Sequence, residues 1–177
     1  GSAIDTAKCI KLFAKLDQNR DYLEQEFVDS DIPLIAIPTT AGSGSEANRN
    51  AVIYKNGNKV SIFHETCRPE YLYFEPTFLQ TLPDYVKKSS LADAICQCIE
   101  SIWAKTSTEE SIQIASEGLK LLLDNAMVYL RGEDRVLPAI QKGAYLSGKA
   151  IDLTKTTAAH ALSYKLASIC QINHGHA

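Results

Sequence analysis

Residues 33–48 read PLIAIPTTAGSGSEAN, and the two parts of this stretch follow different rules. PLIAIP (33–38) is an apolar run closed at both ends by proline. It is too short for a self-supporting helix and suits a strand buried in a parallel sheet. TTAGSGSEAN (39–48) follows at once, with two glycines, two threonines, two serines and an asparagine. These residues favour an irregular backbone with exposed N–H groups. Such a loop can hold an anionic ligand, and it can equally be an ordinary surface connection.

On the N-terminal side, Ile4, Ala7, Ile10, Leu12 and Phe13 recur at helical spacing and predict an amphipathic helix over 3–16. Gly1 and Ser2 before that helix, with Asp5 in its first turn, have the letters of a phosphate-binding helix N-terminus and also those of a cloning scar. On the other side, AVIY (51–54) and VSIF (60–63) flank KNGN, whose Asn-Gly pair predicts a hairpin. YLYF (71–74) predicts one further strand. Beyond Pro83 the pattern changes, and apolar residues recur at helical spacing through 84–104, 109–131, 134–149 and 156–170. The fold class is therefore an α/β part, 1–82, followed by an all-helical part, 83–177.

The 177 residues are 45% hydrophobic and 22% charged, which is a globular composition with enough apolar material for a substantial core. The formal net charge is -3 and the Lys and Arg residues are scattered singly, which excludes the clustered basic face of a nucleic-acid binder. Cys9, Cys67, Cys96, Cys98 and Cys170 are odd in number and mostly sit in apolar or helical context, so a reducing cytoplasm is expected rather than a disulfide framework. No run approaches the roughly 18–20 apolar residues of a membrane span. A helix already under way at residue 3 and an end at His174-Gly175-His176-Ala177 without a closing element suggest the central fragment of a longer protein.

Chemistry concentrates in the helical part. Only four histidines occur, and two of them, His160 and His174, frame the last segment. Asp93 and Gln97 are four apart on one predicted helix, and His160 and Tyr164 repeat that relation on another. Asp93, Gln97, His160 and His174 form an O,O,N,N donor set suited to a borderline or hard divalent cation with an open position. The same residues could be a helix-start aspartate, a surface glutamine and hydrogen-bonded core histidines. Cys96 and Cys98 are a rival pair, but two residues apart on a helix they diverge by about 200°, and buried packing is their expected role.

Taken in order, GSAIDTAK (1–8), PTTAGSGSEAN (38–48), the helix carrying Asp93 through Glu100, and HALSYKLASICQINHG (160–175) resemble the iron-containing, group III alcohol dehydrogenases. The resemblance covers essentially the whole chain. It implies a dehydroquinate synthase-like fold, with an N-terminal Rossmann-like domain for NAD or NADP and a C-terminal helical domain for a divalent metal. GSAIDTAK matches the family's GGGSxxDxAK, so that Gly1 and Ser2 would cradle the pyrophosphate with Asp5 close by. Thr39, Thr40 and Ser43 match TTxGT, which lines the cofactor. Lys59 aligns with a lysine that reaches the nicotinamide ribose, and Asn50 with a polar contact near it. Without the resemblance, Lys59 reads equally as a solvated lysine beside a hairpin.

The metal set carries over as Asp93, position 97, His160 and His174. The family normally has histidine at 97; Gln97 would replace an imidazole by an amide oxygen, which weakens and hardens the site and shifts the expected ion from iron toward zinc or another divalent ion. Tyr164 stands where many members carry another histidine, and would supply a hydroxyl to a proton relay or fill the pocket wall. KTTAAHALSY and HGHA also resemble the phosphonoacetaldehyde reductase subgroup, with Arg49, Lys155, Thr156 and Thr157 as candidate phosphonate donors. The resemblance implies reversible NAD(P)H-linked reduction of a small aldehyde at a metal acting as Lewis acid, with a small-molecule substrate, no nucleic-acid or membrane partner, and a homodimer in the intact protein. A dehydroquinate synthase-type lyase or cyclase and a non-catalytic protein retaining the fold are the other readings that remain open.

Overall fold

The structure is a computed structural model that describes residues 2–56 and 58–177. It separates into two compact units, one running up to Ile37 and again from Ser45 to Tyr73, the other comprising Pro38–Gly44 and Phe74–Ala177. The TTAGSGSEAN loop therefore divides, with Thr39, Thr40 and Ser43 in the helical unit. Among the described residues no helix is long and apolar enough to cross a membrane.

In the first unit, α1 (Ser2–Phe13) carries Asp5 in its first turn and Lys11 in its last, the polarity a helix dipole favours. Strand β1 (Ile35–Ala36) is short. β2 (Asn50–Lys55) and β3 (Asn58–Phe63) form the hairpin expected from Asn-Gly, paired antiparallel from Asn50↔Phe63 to Lys55↔Asn58. β4 (Tyr71–Leu72) pairs parallel with β1, Ile35 opposite Tyr71. The expectation that PLIAIP is buried on both faces is corrected here: Leu34 and Ala36 are buried, whereas Ile35 and Ile37 are 62% and 46% exposed. No described element covers that second face, so the run alternates as a one-sided strand does.

Packing in this unit is small and apolar, with Cys9 and Leu12 of α1 against Ala51, Ile62 and Cys67. Burial pushes the Cys9 thiol up to about 11, so it behaves as a hydrophobe. Lys8, also fully buried, is tolerated because its ammonium donates to Asn48 O (2.8 Å), Asn48 Oδ1 (3.2 Å) and Asn50 O (2.7 Å).

The second unit contains α2 (Asp84–Trp103), α3 (Glu109–Leu130), α4 (Leu137–Thr154) and α5 (Ala158–Cys170). Each predicted helical stretch is present within a few residues. α3 begins at a reciprocal cap in which Thr108 and Ser111 satisfy one another's backbone N–H groups. α4 starts later than expected because Pro138 sits in its first turn, where a missing N–H costs nothing. The core joins Leu91, Ala94 and Cys98 of α2 to Ala115 and Leu122 of α3 and Ile140, Ala144 and Ala150 of α4.

Segment 38–44 is laid on this core backbone to backbone. A Cβ on Gly148 of α4 would lie 2.4 Å from Gly44 O, and Gly44 itself has φ +58°, so neither position admits a side chain. The Gln141 amide also donates to Pro38 O at 3.5 Å. Gly148→Ala is expected to destabilise the protein by about 1–3 kcal/mol or more, as overpacking against rigid backbone does. Urea unfolding followed by circular dichroism measures it, and a midpoint equal to wild type would refute this packing.

Candidate metal centre

One buried face of α2 organises the site. Asp93, Gln97 and Glu100 fall within an arc of about 60° at 100° per residue, and all three are buried. Facing them are His160 from α5 and His174 from the turn His174–His176. The ligand-capable atoms of Asp93, His160 and His174 all lie within 4.8 Å of one another.

Each imidazole is turned by its second nitrogen. His160 Nδ1 makes a short hydrogen bond to Glu100 Oε2, so Nδ1–H donates and Nε2 faces Asp93 Oδ1 at 3.3 Å. The Ser163 hydroxyl donates to His160 O (2.8 Å) and lies 3.0 Å from His174 Nδ1. With its single proton committed there, that hydroxyl accepts from Nδ1–H. His174 Nε2 then looks toward Asp93 Oδ1, 3.8 Å away. Both rings thus offer Nε2, the arrangement in which outer partners fix tautomer and orientation for a metal.

Glu100, like Ser147 and Ser163, holds a place in the site that sequence reasoning missed. It is 1% exposed, and Oε1 accepts from Thr157 N (3.2 Å), Thr157 Oγ1 (2.7 Å) and His160 N (3.3 Å). Thr157 makes no side-chain cap of its own, so a carboxylate from α2 caps α5. Burial opposes the Glu100 charge, but the bonds from Thr157 and the charge and hydrogen bonds of His160 outweigh it and hold the carboxyl below its ordinary range. Burial likewise opposes a charged His160, yet the adjacent Asp93 and Glu100 raise its pKa above the ordinary histidine value. Only the separation of sixty residues between Glu100 and His160 hid this pair, since no local pattern encodes it.

His174 is placed by Gly175, whose hypothetical Cβ would be 2.0 Å from Ser89 O and 2.8 Å from Asp93 Cβ. Only glycine lets the turn press onto α2. Tyr85 strengthens that seat: its hydroxyl accepts from Asn173 N (3.1 Å) and is hydrogen-bonded to His176 Nδ1 (2.9 Å). Tyr164 stacks on the His174 ring, 5.3 Å between centroids at 22°.

Gln97 sits beside this trio with its nitrogen, not its oxygen, toward Asp93 (3.3 Å). The expected fourth oxygen ligand is thus turned away, its Oε1 accepting from Ser147 Oγ at 2.9 Å. Cys96 and Cys98 diverge as expected, but only Cys98 is buried, its thiol pushed up to about 12, whereas Cys96 is exposed on the cavity wall. The cavity at the three ligands measures about 120 Å³, room for a few heavy atoms beside an ion, at about 30 Å³ per water.

The remaining expected residues fall as follows. Gly1 lies outside the described residues. Ser2 opens α1, and the Asp5 carboxylate accepts from Ser45 Oγ (2.5 Å) and Val52 N (3.3 Å). Asn50 O accepts from Lys8, and Lys59 pairs with Tyr54 across the hairpin. Thr39 is exposed and Thr40 half-buried, while Ser43 O accepts from the Gln97 amide at 3.4 Å. Arg49 pairs with Glu65 (2.5 Å) and covers the Phe63 ring, and Thr157 serves Glu100. These bonds give Arg49 and Thr157 structural work apart from any phosphonate.

Residues 1–76 match the family model described as iron-containing alcohol dehydrogenase. The chain is 34% identical over 155 residues to a phosphonoacetaldehyde reductase of Streptomyces viridochromogenes, covering 82% of this chain and 38% of that protein. It is 27% identical over 179 residues to an alcohol dehydrogenase of Thermococcus barophilus, covering 96% and 47%. Among solved structures, the iron-containing alcohol dehydrogenase of Thermococcus thioreducens superposes with a TM-score of 0.89 at 27% identity, over 98% of this chain and 48% of that one. Sulfoacetaldehyde reductase of Bifidobacterium kashiwanohense, solved in complex with NAD+, gives 0.91 at 26% identity, with 98% and 48% covered. The chain spans less than half the length of these proteins.

In metal-free protein the buried His160 and Glu100 make stability depend on pH in two directions. The raised His160 contributes below its unfolded value of about 6.5 and loses that contribution as pH rises through the folded pKa. The lowered Glu100 contributes above about 4.3 and loses it as pH falls through its folded pKa. Urea midpoints measured with chelator present should therefore peak between about pH 4.5 and 6.5. Glu100→Gln should flatten both flanks and speed hydrogen exchange at the Thr157 and His160 amides; an unchanged profile would count against the pairing.

Proposed function

Because the chain belongs to the iron-containing alcohol dehydrogenase family, we propose that it serves metal-dependent, NAD(P)H-linked reduction of a small aldehyde to a primary alcohol. The observation that carries this reading is the convergence of Asp93 Oδ1 with two imidazole Nε2 atoms, each held by a separate Nδ1 partner. One carboxylate and two neutral imidazoles suit zinc or ferrous iron. When bound, a divalent ion supplies Lewis acidity to a carbonyl oxygen and a reduced nicotinamide supplies hydride.

The chain's own part is to hold, orient and protonate. Asp93, His160 and His174 hold the ion, while Glu100 and Ser163 keep both Nε2 lone pairs directed to it. Tyr164, packed on His174, is the group that returns a proton to the product oxygen. For the cofactor, the resemblance supports Gly1, Ser2, Asp5, Asn50 and Lys59 in the 1–82 dinucleotide-binding part, with Thr39, Thr40 and Ser43 from the loop. The first-turn N–H groups of α1, which lack intrahelical acceptors, fit a pyrophosphate. Residues 83–177 form the metal-binding part.

For the aldehyde itself, phosphonoacetaldehyde is the favoured substrate. The relative at 34% identity bears that name, and a second cavity of about 380 Å³ shares Gly175 with the lining of the metal cavity and has Lys88 on its wall. A cation there suits an aldehyde with an anionic end.

In the full protein, His160→Ala and His174→Ala should each abolish aldehyde-dependent NAD(P)H oxidation; retained turnover in both would remove the metal assignment. With a panel that includes phosphonoacetaldehyde and acetaldehyde, Lys88→Ala should raise KM about tenfold or more for the phosphonate alone, in line with loss of one charged hydrogen bond. Equal effects on both aldehydes would exclude Lys88 as the anion contact.

A further inference from the structure

We propose that Gln97 anchors Asp93 instead of binding the metal, so that the protein offers an ion three side-chain ligands and leaves the remaining positions open. The inference rests on the metal-site reading above. The Gln97 side chain is buried, 3% exposed, and both ends of its amide are engaged. Nε2 donates to Asp93 Oδ1 at 3.3 Å and to Ser43 O at 3.4 Å. Oε1 accepts from Ser147 Oγ at 2.9 Å.

Which way the amide points is decided by its acceptors. Ser147 fits either orientation: as placed, its one proton goes to Oε1 instead of to Ala144 O, 2.7 Å away, and with the amide turned over it would donate to Ala144 O and accept from Nε2. Asp93 and Ser43 are not indifferent: a carboxylate and a carbonyl have no proton to give. Turning the amide over would set Oε1 against both oxygens at once. A cation could offset the clash at Asp93, but Oε1 would still stand against the Ser43 carbonyl oxygen.

Segment 38–44 supplies that carbonyl, and the Gly44–Gly148 contact holds the segment in place. The loop thereby reaches the site through the Gln97 amide, from Ser43 O to Gln97 to Asp93 Oδ1, the atom that faces both imidazoles. Gln97 is a positioning residue in this arrangement. A histidine at 97 would add a third imidazole, whereas the glutamine yields a one-carboxylate, two-imidazole centre whose open positions go to water or a substrate oxygen.

Crystals of the full protein soaked with Zn²⁺ alone, read by anomalous scattering, test this directly. The expected result is zinc within about 2.0–2.2 Å of Asp93, His160 and His174, with Nε2 of Gln97 still on Asp93. Gln97 Oε1 within about 2.2 Å of the zinc would overturn the inference and leave the metal-site reading standing. Zinc absent from the three residues would overturn that reading itself, and this inference with it.

In solution, Co²⁺ added to metal-free protein supplies a spectroscopic check. Gln97→Leu should keep the wild-type visible bands, because the ligand set is unchanged, while affinity falls about ten- to hundredfold, as loss of a ligand's hydrogen-bond partner does. Gln97→His should shift the bands and tighten binding. Bands in Gln97→Leu that depart from wild type, or unchanged affinity in that variant, would overturn the anchoring role.

Discussion

A single buried carboxylate holds the helical unit's chemistry together. Glu100 receives four hydrogen bonds, three to Oε1 and one to Oε2. Three of these donors are at the start of α5, where a helix has N–H groups to satisfy and a dipole that favours negative charge; the fourth is the His160 ring. Capping and tautomer selection are therefore one interaction. The orientation of His160 cannot be altered without loosening the helix that bears it, and the helix cannot shift without turning the imidazole. A buried carboxylate without partners would be costly, so this geometry is also what permits Glu100 to lie in the core.

His174 is secured differently, and the contrast is informative. It lies on a three-residue 3-10 turn, too short to fix a side chain by itself. Its position follows from contacts on three sides: Gly175 against the α2 backbone, Tyr164 stacked on the ring, and Ser163 at Nδ1. Ser163 and Tyr164 both belong to α5, the helix that Glu100 caps. The two imidazoles are thus coupled through one helix, and Asp93 joins them from the same buried face of α2 that carries Glu100.

Much of the architecture was legible from periodicity. The Asn-Gly hairpin and the four later helices follow from turn chemistry and apolar spacing, signals that depend only on neighbours in sequence. Strand β1 was less legible, because an apolar run does not state how many of its faces will be covered; Ile35 and Ile37 are exposed while Leu34 and Ala36 are buried. In the site, Asp93, His160 and His174 stood out as scarce or motif-bearing residues. Glu100, Ser147 and Ser163 did not, since an acid or a serine on a helix becomes informative only when its distant partner is known.

Position 97 shows where reading by residue type reaches its limit. A glutamine carries a ligand oxygen and a donor nitrogen on the same short plane, and the sequence cannot say which faces the site. The choice is made by surroundings that lie far away in the chain: a carbonyl from Ser43, about fifty residues upstream, and a hydroxyl from Ser147, about fifty downstream. A histidine in the same place would face the same carbonyl, but only through a ring N–H, leaving its other nitrogen for the ion. The substitution from imidazole to amide therefore changes more than ligand hardness. In the proposed arrangement the amide's two N–H groups serve the loop carbonyl and Asp93, one each, and coordination would be left to the three residues that α2, α5 and the turn His174–His176 bring together.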